Sequence, residues 1–232
     1  MGARGAATRD KLVESSLAMF REDGFEATTM RRIADAAGVS LGNAYYYFAS
    51  KDDLVHELYL VVQREHRALA IPRLRQGAPL AENLALVLHT GLDVMTPYHR
   101  FGGAFVQVAL PASSRASPFS LESAQARGLA IDLMRQAADA SRPRPASALR
   151  ERMPMLLWLA YLGITLHWVV DSSPDQARTR RLVDGVAPIV GRAVRLSRLP
   201  VARGLVDDVV GLLAPASAST PTAAATPAGA SR

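Results

Sequence analysis

Residues 28–54, TTMRRIADAAGVSLGNAYYYFASKDDL, constrain this chain more than any other stretch. Thr28 or Thr29 can cap a short helix, because a hydroxyl accepts from a free backbone N–H two or three residues on. Ile33, Ala34 and Ala37 give that helix one apolar face. Gly38 supplies the left-handed backbone that stops it, and Val39 can plug the corner. Ser40 caps a second short helix running to Tyr47. Ser50 and Asp53 form a capping box that starts a third helix at Lys51. Two short helices joined at a glycine turn make the helix-turn-helix plan, whose second helix lies in the major groove of DNA.

The order Ile33-Ala34, Ala37-Gly38-Val39-Ser40, Gly42, Tyr45-x-Tyr47-Phe48, then Ser50-Lys51-x-x-Leu54 closely resembles the DNA-binding signature of the tetracycline-repressor (TetR) family of bacterial transcription regulators. The resemblance covers the first quarter of the chain. Beyond Ala70 it extends only to length and helical texture. Ala44 departs from the pattern, standing where the family carries a larger aliphatic residue.

On the second motif helix the outward residues are Leu41, Gly42, Asn43 and Tyr46. Asparagine can bond an adenine edge bidentately, a pair that discriminates by roughly 1–3 kcal/mol. Gly42 lets the backbone approach the groove, and Leu41 can touch a thymine methyl. The resemblance implies phosphate contacts for Tyr45 and Lys51 and a base-edge contact for Arg31. By the same likeness, Thr28, Thr29 and Ser40 at the helix amino ends face the backbone phosphates. Phe48 and Tyr47 read as core.

Charge does not carry the DNA argument. The chain is +6 overall, but residues 1–67 hold nine Lys/Arg against ten Asp/Glu, and residues 68–232 hold eighteen against eleven. The basic excess lies outside the motif. Cysteine is absent, which excludes disulfides and thiol catalysis and fits the cytoplasm. The first thirty residues lack the apolar core of a secretion signal.

Residues 1–7 read as a flexible arm, and Thr8 as the cap of a helix from Arg9 to Glu22 ended by Gly24. The helix over 51–70 carries Leu54, Val55, Leu58, Val61 and Val62 and ends before Pro72. In the family the resemblance points to, this helix joins the DNA-reading unit to the rest. Further helices are expected over 79–95, 104–110, 119–140, 146–170, 174–197 and 201–213, with breaks at Pro97, Gly102-Gly103, 111–118 and 141–145. Ser173-Pro174-Asp175-Gln176 is a helix-start signal, and Pro188 marks a kink. Residues 214–232, rich in Ala, Ser, Thr, Pro and Gly, are expected to be disordered.

The run 153–170, MPMLLWLAYLGITLHWVV, has no formal charge over 18 residues, the lower limit for a membrane span. Apolarity all round is equally expected at the centre of a bundle or at a dimer seam, and no membrane partner is expected. Tyr98, Phe105, Trp158, Tyr161 and Thr165 are candidate ligand-binding residues, because apolar helices with a few polar tips suit small organic ligands. Each of them suits an ordinary core as well. Trp158, Tyr161 and Thr165 share one helical face. The five histidines lack metal-ligand spacing, so no metal site is expected. No catalytic motif occurs, no cofactor is implied, and no enzyme activity is expected.

The reading is an all-α, two-domain chain. Residues 1–50 form an arm and a three-helix, helix-turn-helix DNA-binding domain. Residues 51–213 form a larger helical ligand-binding and dimerisation domain, with 51–70 as the connecting helix. The expected partners are double-stranded operator DNA, a second copy of the chain and a small-molecule ligand. A lone short helix reads few base pairs, so two copies at a fixed spacing are needed for specificity. The helices 146–171 and 174–197 are the expected four-helix seam. The resemblance implies a repressor released by its ligand. Two alternatives stand beside it: an architectural DNA-binding protein without a ligand, and an enzyme with its catalytic domain in residues 70–213.

Overall fold

Capping decides where the first helices begin and end. The computed structural model describes residues 3–111 and 114–202, together with positions 204, 208 and 211. In it α2 (Met30–Ala37) starts at Thr29, whose hydroxyl accepts from the Arg32 N–H at 3.3 Å. It stops at Gly38, at φ 69°, where the Val39 N–H returns to the Ala34 carbonyl at 3.0 Å. Ser40 caps α3 (Leu41–Tyr47) by accepting from the Asn43 N–H at 3.2 Å. Ser50 and Asp53 close the expected capping box at the start of α4 (Lys51–Ala70). Ile33, Ala34 and Ala44 are fully buried where these helices meet.

Ahead of them lies α1 (Ala3–Glu22), longer than its sequence reading. The arm expected over residues 1–7 is helical from Ala3 onward, and Thr8 is no cap. Its hydroxyl donates to the Arg4 carbonyl at 3.0 Å, the local bond a helix interior offers to threonine. Leu12, Val13, Leu17 and Phe20 bury its inner side against α2 and α4.

The remaining helices are α5 (Leu80–Met95), α6 (Gly102–Ala109), α7 (Ala124–Ala140), α8 (Ser147–Arg150), α9 (Met153–Val170) and α10 (Ala177–Leu196). No strand occurs among the described residues. Most of the buried apolar side chains form one continuous core from Leu12 to Val194, so the reading head and the larger helical body share an interior.

Several expected boundaries shift, each for a local reason. The helix expected from Phe119 starts at Ala124, because serines take the backbone away before it. Ser114, Ser117 and Ser120 accept from the N–H groups of Ala116, Phe119 and Ser123, and Arg127 clamps the carbonyls of Pro118 and Ser120. The single helix expected over 146–170 is split before Met153, since Pro154 has no N–H to continue it. The Gly102-Gly103 pair begins α6 and does not break the chain. Gly102 lies against Val169, where a Cβ would come within 3.1 Å of Cγ2. α10 runs through Pro188, which faces solvent, while Ala187 and Gly191 hold the helix on α5. The helix expected over 201–213 lies largely outside the described residues, and the tail over 214–232 lies wholly outside them.

The start signal at Ser173–Gln176 works differently from its reading. Pro174–Gln176 form a single 3-10 turn with Asp175 and Gln176 at φ 52° and 51°, and α10 begins after it. The organiser is Asp171. Its carboxylate accepts from the N–H and hydroxyl of both Ser173 and Thr179, at 2.6–3.0 Å. Burial pushes this carboxyl up, but the hydrogen bonds outweigh burial and hold it well below the usual carboxylate range.

Two measurements check this packing. At Gly91 a Cβ would come within 2.9 Å of His66 Cε1 and 3.0 Å of Tyr161 Cε2. Gly91→Ala is therefore expected to lower unfolding stability by about 1–3 kcal/mol, read from the denaturant midpoint. Asp171 has a folded pKa below its unfolded value of about 3.9, so its stabilisation is present above that pH and lost as pH falls toward the folded value. Asp171→Asn is expected to lower Tm at neutral pH, with the gap to wild type narrowing once the pH drops below about 4.

Candidate nucleic-acid interface and ligand cleft

α3 is short, and only its underside is occupied. Ala44 is buried, Leu41 and Tyr47 are half-buried, and Gly42, Asn43, Tyr45 and Tyr46 are exposed. Tyr46 is 80 % exposed and Tyr45 49 %, a costly display of aromatic surface for a helix with no partner. Tyr46 meets Tyr47 edge-on at 5.1 Å. Phe48 is core, as expected, with the Arg9 guanidinium over its ring at 5.2 Å. Ser40, at the amino end of α3, is exposed as well.

The amino end of α2 adds Thr29 and Arg31, both exposed, and Arg31 makes no ion pair among the described residues. Arg32 beside it is occupied by Asp23 and by the Ala27 carbonyl. Thr28 does not belong to this surface. It is fully buried, and its hydroxyl donates to the Gly24 carbonyl at 2.7 Å. Lys51 is partly committed inside the molecule. Its ammonium donates to the carbonyls of Phe25 at 2.6 Å and Thr28 at 3.0 Å and sits 3.8 Å from the Phe25 ring centroid. One of its three N–H groups remains for an outside acceptor.

Part of the basic excess of the C-terminal part lies elsewhere, although Arg115 comes within 3.9 Å of Asp53 in the first turn of α4. Arg142, Arg144, Arg150 and Arg198 line a shallow concavity. The Arg142 N–H bonds the Ala78 carbonyl, in the connection between the carboxyl end of α4 and the start of α5. A helix of the length of α4 separates its ends by about 30 Å, so this charge is remote from α3.

Within the helical body, α4, α9 and residues 96–105 enclose a cleft of about 70 Å³. Tyr98, Phe105, Tyr161 and Thr165, expected from the sequence, line it. Trp158 does not. It is fully buried beneath, with its ring edge-on to Phe119 at 5.3 Å. Tyr59, Gln63 and Trp168 complete the walls and escaped the sequence reading. Gln63 was the available signal, as a neutral amide directly after the apolar run Leu60-Val61-Val62.

Burial raises the hydroxyls of both wall tyrosines. Tyr59 is pushed up to about 12, with the nearby Trp158 N–H softening the effect without closing a hydrogen bond. Tyr161 is pushed further by burial, with the neighbouring Gln63 and Thr165 side chains softening the effect, and its hydroxyl donates to Met95 Sδ at 3.7 Å. His66 packs on Tyr161 at 5.5 Å between centroids. Burial lowers its pKa, and its Nε2–H donates to the Val87 carbonyl at 2.8 Å.

The cleft touches the reading head. In the 3-10 turn Thr96–Phe101, Phe101 stacks on Phe20 of α1 with centroids 5.1 Å apart and planes 3° apart. Phe25 joins both rings, and the Arg21 guanidinium lies 5.6 Å from the Tyr98 ring centroid.

Comparison with known proteins meets this geometry from two sides. The family model described as bacterial regulatory proteins, tetR family, matches residues 12–58. The model described as tetracyclin repressor-like, C-terminal domain, matches residues 83–212. The HTH-type transcriptional repressor KstR2 of Mycobacterium tuberculosis is 52% identical over 50 residues, covering 22% of this chain and 25% of the relative. The probable acrEF/envCD operon repressor of Escherichia coli is 40% identical over 58 residues, covering 25% of this chain and 26% of the relative. The chain thus spans about a quarter of the length of these curated relatives. Two solved structures share the fold. The fatty acid degradation regulator FadR from Bacillus halodurans has a TM-score of 0.54 at 15% identity, covering 81% of this chain and 95% of that one. A tetR-family regulator from Streptomyces coelicolor has a TM-score of 0.52 at 22% identity, covering 91% and 99%.

Proposed function

The chain belongs to the tetracycline-repressor family of regulators, and from that premise we propose that it is a homodimeric repressor that leaves its operator when a small molecule occupies the cleft. The observation that carries this reading is the exposed face of α3, held at both ends by caps. Asn43 reads a base edge there, Gly42 allows close approach, and Leu41 and Tyr46 contact the groove. Tyr45, Thr29, Ser40 and the remaining donor of Lys51 bind phosphates, and Arg31 reaches in beside them. Residues 1–50 act as the reading head and residues 51–213 as the body, with α4 joining them. The site of action is chromosomal DNA in the cytoplasm.

The second copy docks on α9 and α10. Met153, Leu157, Tyr161, Ile164 and Trp168 face the protein's own core, while Met155, Leu159, Leu166 and Val170 remain exposed on the same helix. On α10, Ile189 and Leu196 are exposed alongside. One helix thus offers two apolar faces, as a symmetric seam requires. The same arrangement accounts for the uncharged run at 153–170 without a membrane.

A ligand entering the cleft displaces Tyr98 and Phe101, and these lean on α1. The heads of the dimer then lose their operator spacing. A coupling of about 1–3 kcal/mol is typical of such linkage.

Anisotropy titration against DNA upstream of the protein's own gene, at two salt concentrations, tests the reading. Tyr45→Ala is expected to weaken binding to operator and random DNA alike. Asn43→Ala is expected to cost roughly 1–3 kcal/mol of sequence preference at its base pair while leaving non-specific binding intact. Wild-type behaviour in both variants would remove α3 from the interface. Leu159→Glu with Leu166→Glu is expected to give a folded monomer in sedimentation, with operator affinity reduced at least a hundredfold.

A further inference from the structure

The cleft walls hold no formal charge and three polar groups without partners, and that combination restricts what can enter. The wall residues among those described are aliphatic, aromatic, or the neutral Gln63 and Thr165. Outside the walls, Arg21 lies over the Tyr98 ring and bonds the Leu17 carbonyl, Arg127 is held by the carbonyls of Pro118 and Ser120, and Glu65 acts on Tyr98 from a distance. His66, behind Tyr161, is held neutral by burial with its one N–H committed to Val87. A carboxylate or ammonium taken out of water there would meet no free counter-charge in the walls themselves. Yet Tyr59 Oη, Gln63 Oε1 and Trp168 Nε1 are buried without a hydrogen-bond partner. Thr165 offers nothing more, since its hydroxyl donates to the Tyr161 carbonyl at 2.9 Å. Buried polar atoms are seldom left unbonded, and these three lie just behind the apolar surface of one cleft, on residues that line it, so that a guest parting the walls would complete their bonds.

Their chemistry is complementary. The Trp168 indole can only donate, the Gln63 oxygen can only accept, and the Tyr59 hydroxyl does either. Resting on the ligand-responsive reading above, we propose that the cleft selects an uncharged, largely apolar molecule carrying a hydroxyl or equivalent group that accepts from Trp168 and donates to Gln63. The cleft of about 70 Å³ has the volume of only a few heavy atoms. A longer body must part the walls, and the walls include the turn that rests on Phe20.

Trp158 and Trp168 are the only tryptophans in the chain, and both belong to this region, so their emission reports occupancy directly. The full chain is titrated at pH 7.5 with 1-octanol, octanoate and octylamine, which share one apolar body and differ in charge. The proposal expects 1-octanol to shift the emission saturably, at least tenfold tighter than either ion. Gln63→Met, which keeps volume and removes the acceptor, is expected to weaken 1-octanol about tenfold with little change in the ions. An ion binding within threefold of 1-octanol overturns the proposal. So does an absence of any shift up to the solubility limit, or unchanged 1-octanol binding in a folded Gln63→Met protein. Operator binding is titrated separately on the same preparation. Operator binding without a preference for 1-octanol therefore removes this inference alone, whereas the preference without operator binding removes the regulator reading alone.

Discussion

The contact on which the rest depends is the stack of Phe20 on Phe101, completed by Phe25. These rings join the three-helix head to the helical body. Their near-parallel geometry leaves no slack, because close-packed interiors transmit displacements and do not absorb them. Lys51 adds a second tie, bonding the loop ahead of α2 from the first turn of α4. The head is thus fixed to the two elements that also border the cleft. In the proposed repressor, that junction is what lets the cleft report to the head.

Two further features follow from the same economy of elements. α9 supplies core with one face, cleft wall with Tyr161, Thr165 and Trp168, and an exposed apolar stripe with the other face. Movement of the cleft wall would therefore reach both the reading head and the proposed seam. Asp171 fixes the corner between α9 and α10 by gathering four donors into one carboxylate. That corner sets the angle between the two helices of the proposed seam.

The head was legible in the sequence because its signals are local. Thr29, Gly38, Ser40 and the Ser50–Asp53 box each act within four residues, so spacing alone located the turns. The body was legible only in outline. Serine side chains unravelled the start of α7, and Pro154 cut one long helix in two. Competition between a side chain and the backbone is settled by geometry that a hydrophobic period does not record. The cleft fared in between. Of the residues picked by type, Tyr98, Phe105, Tyr161 and Thr165 line it and Trp158 does not, while Tyr59 and Gln63 come from α4 and join them only through tertiary packing. Thr28 shows the reverse case, a polar residue read as a surface contact whose hydroxyl turned inward to Gly24.

The central claim is that two copies of α3 read one site together. Selection of bound sequences from a random DNA pool by the full chain, followed by footprinting of the enriched site, measures this directly. The account predicts a two-fold symmetric site whose half-sites lie about 34 Å apart along the duplex or at a multiple of that spacing. Enrichment of an asymmetric single site, or no enrichment above the starting pool, would contradict it.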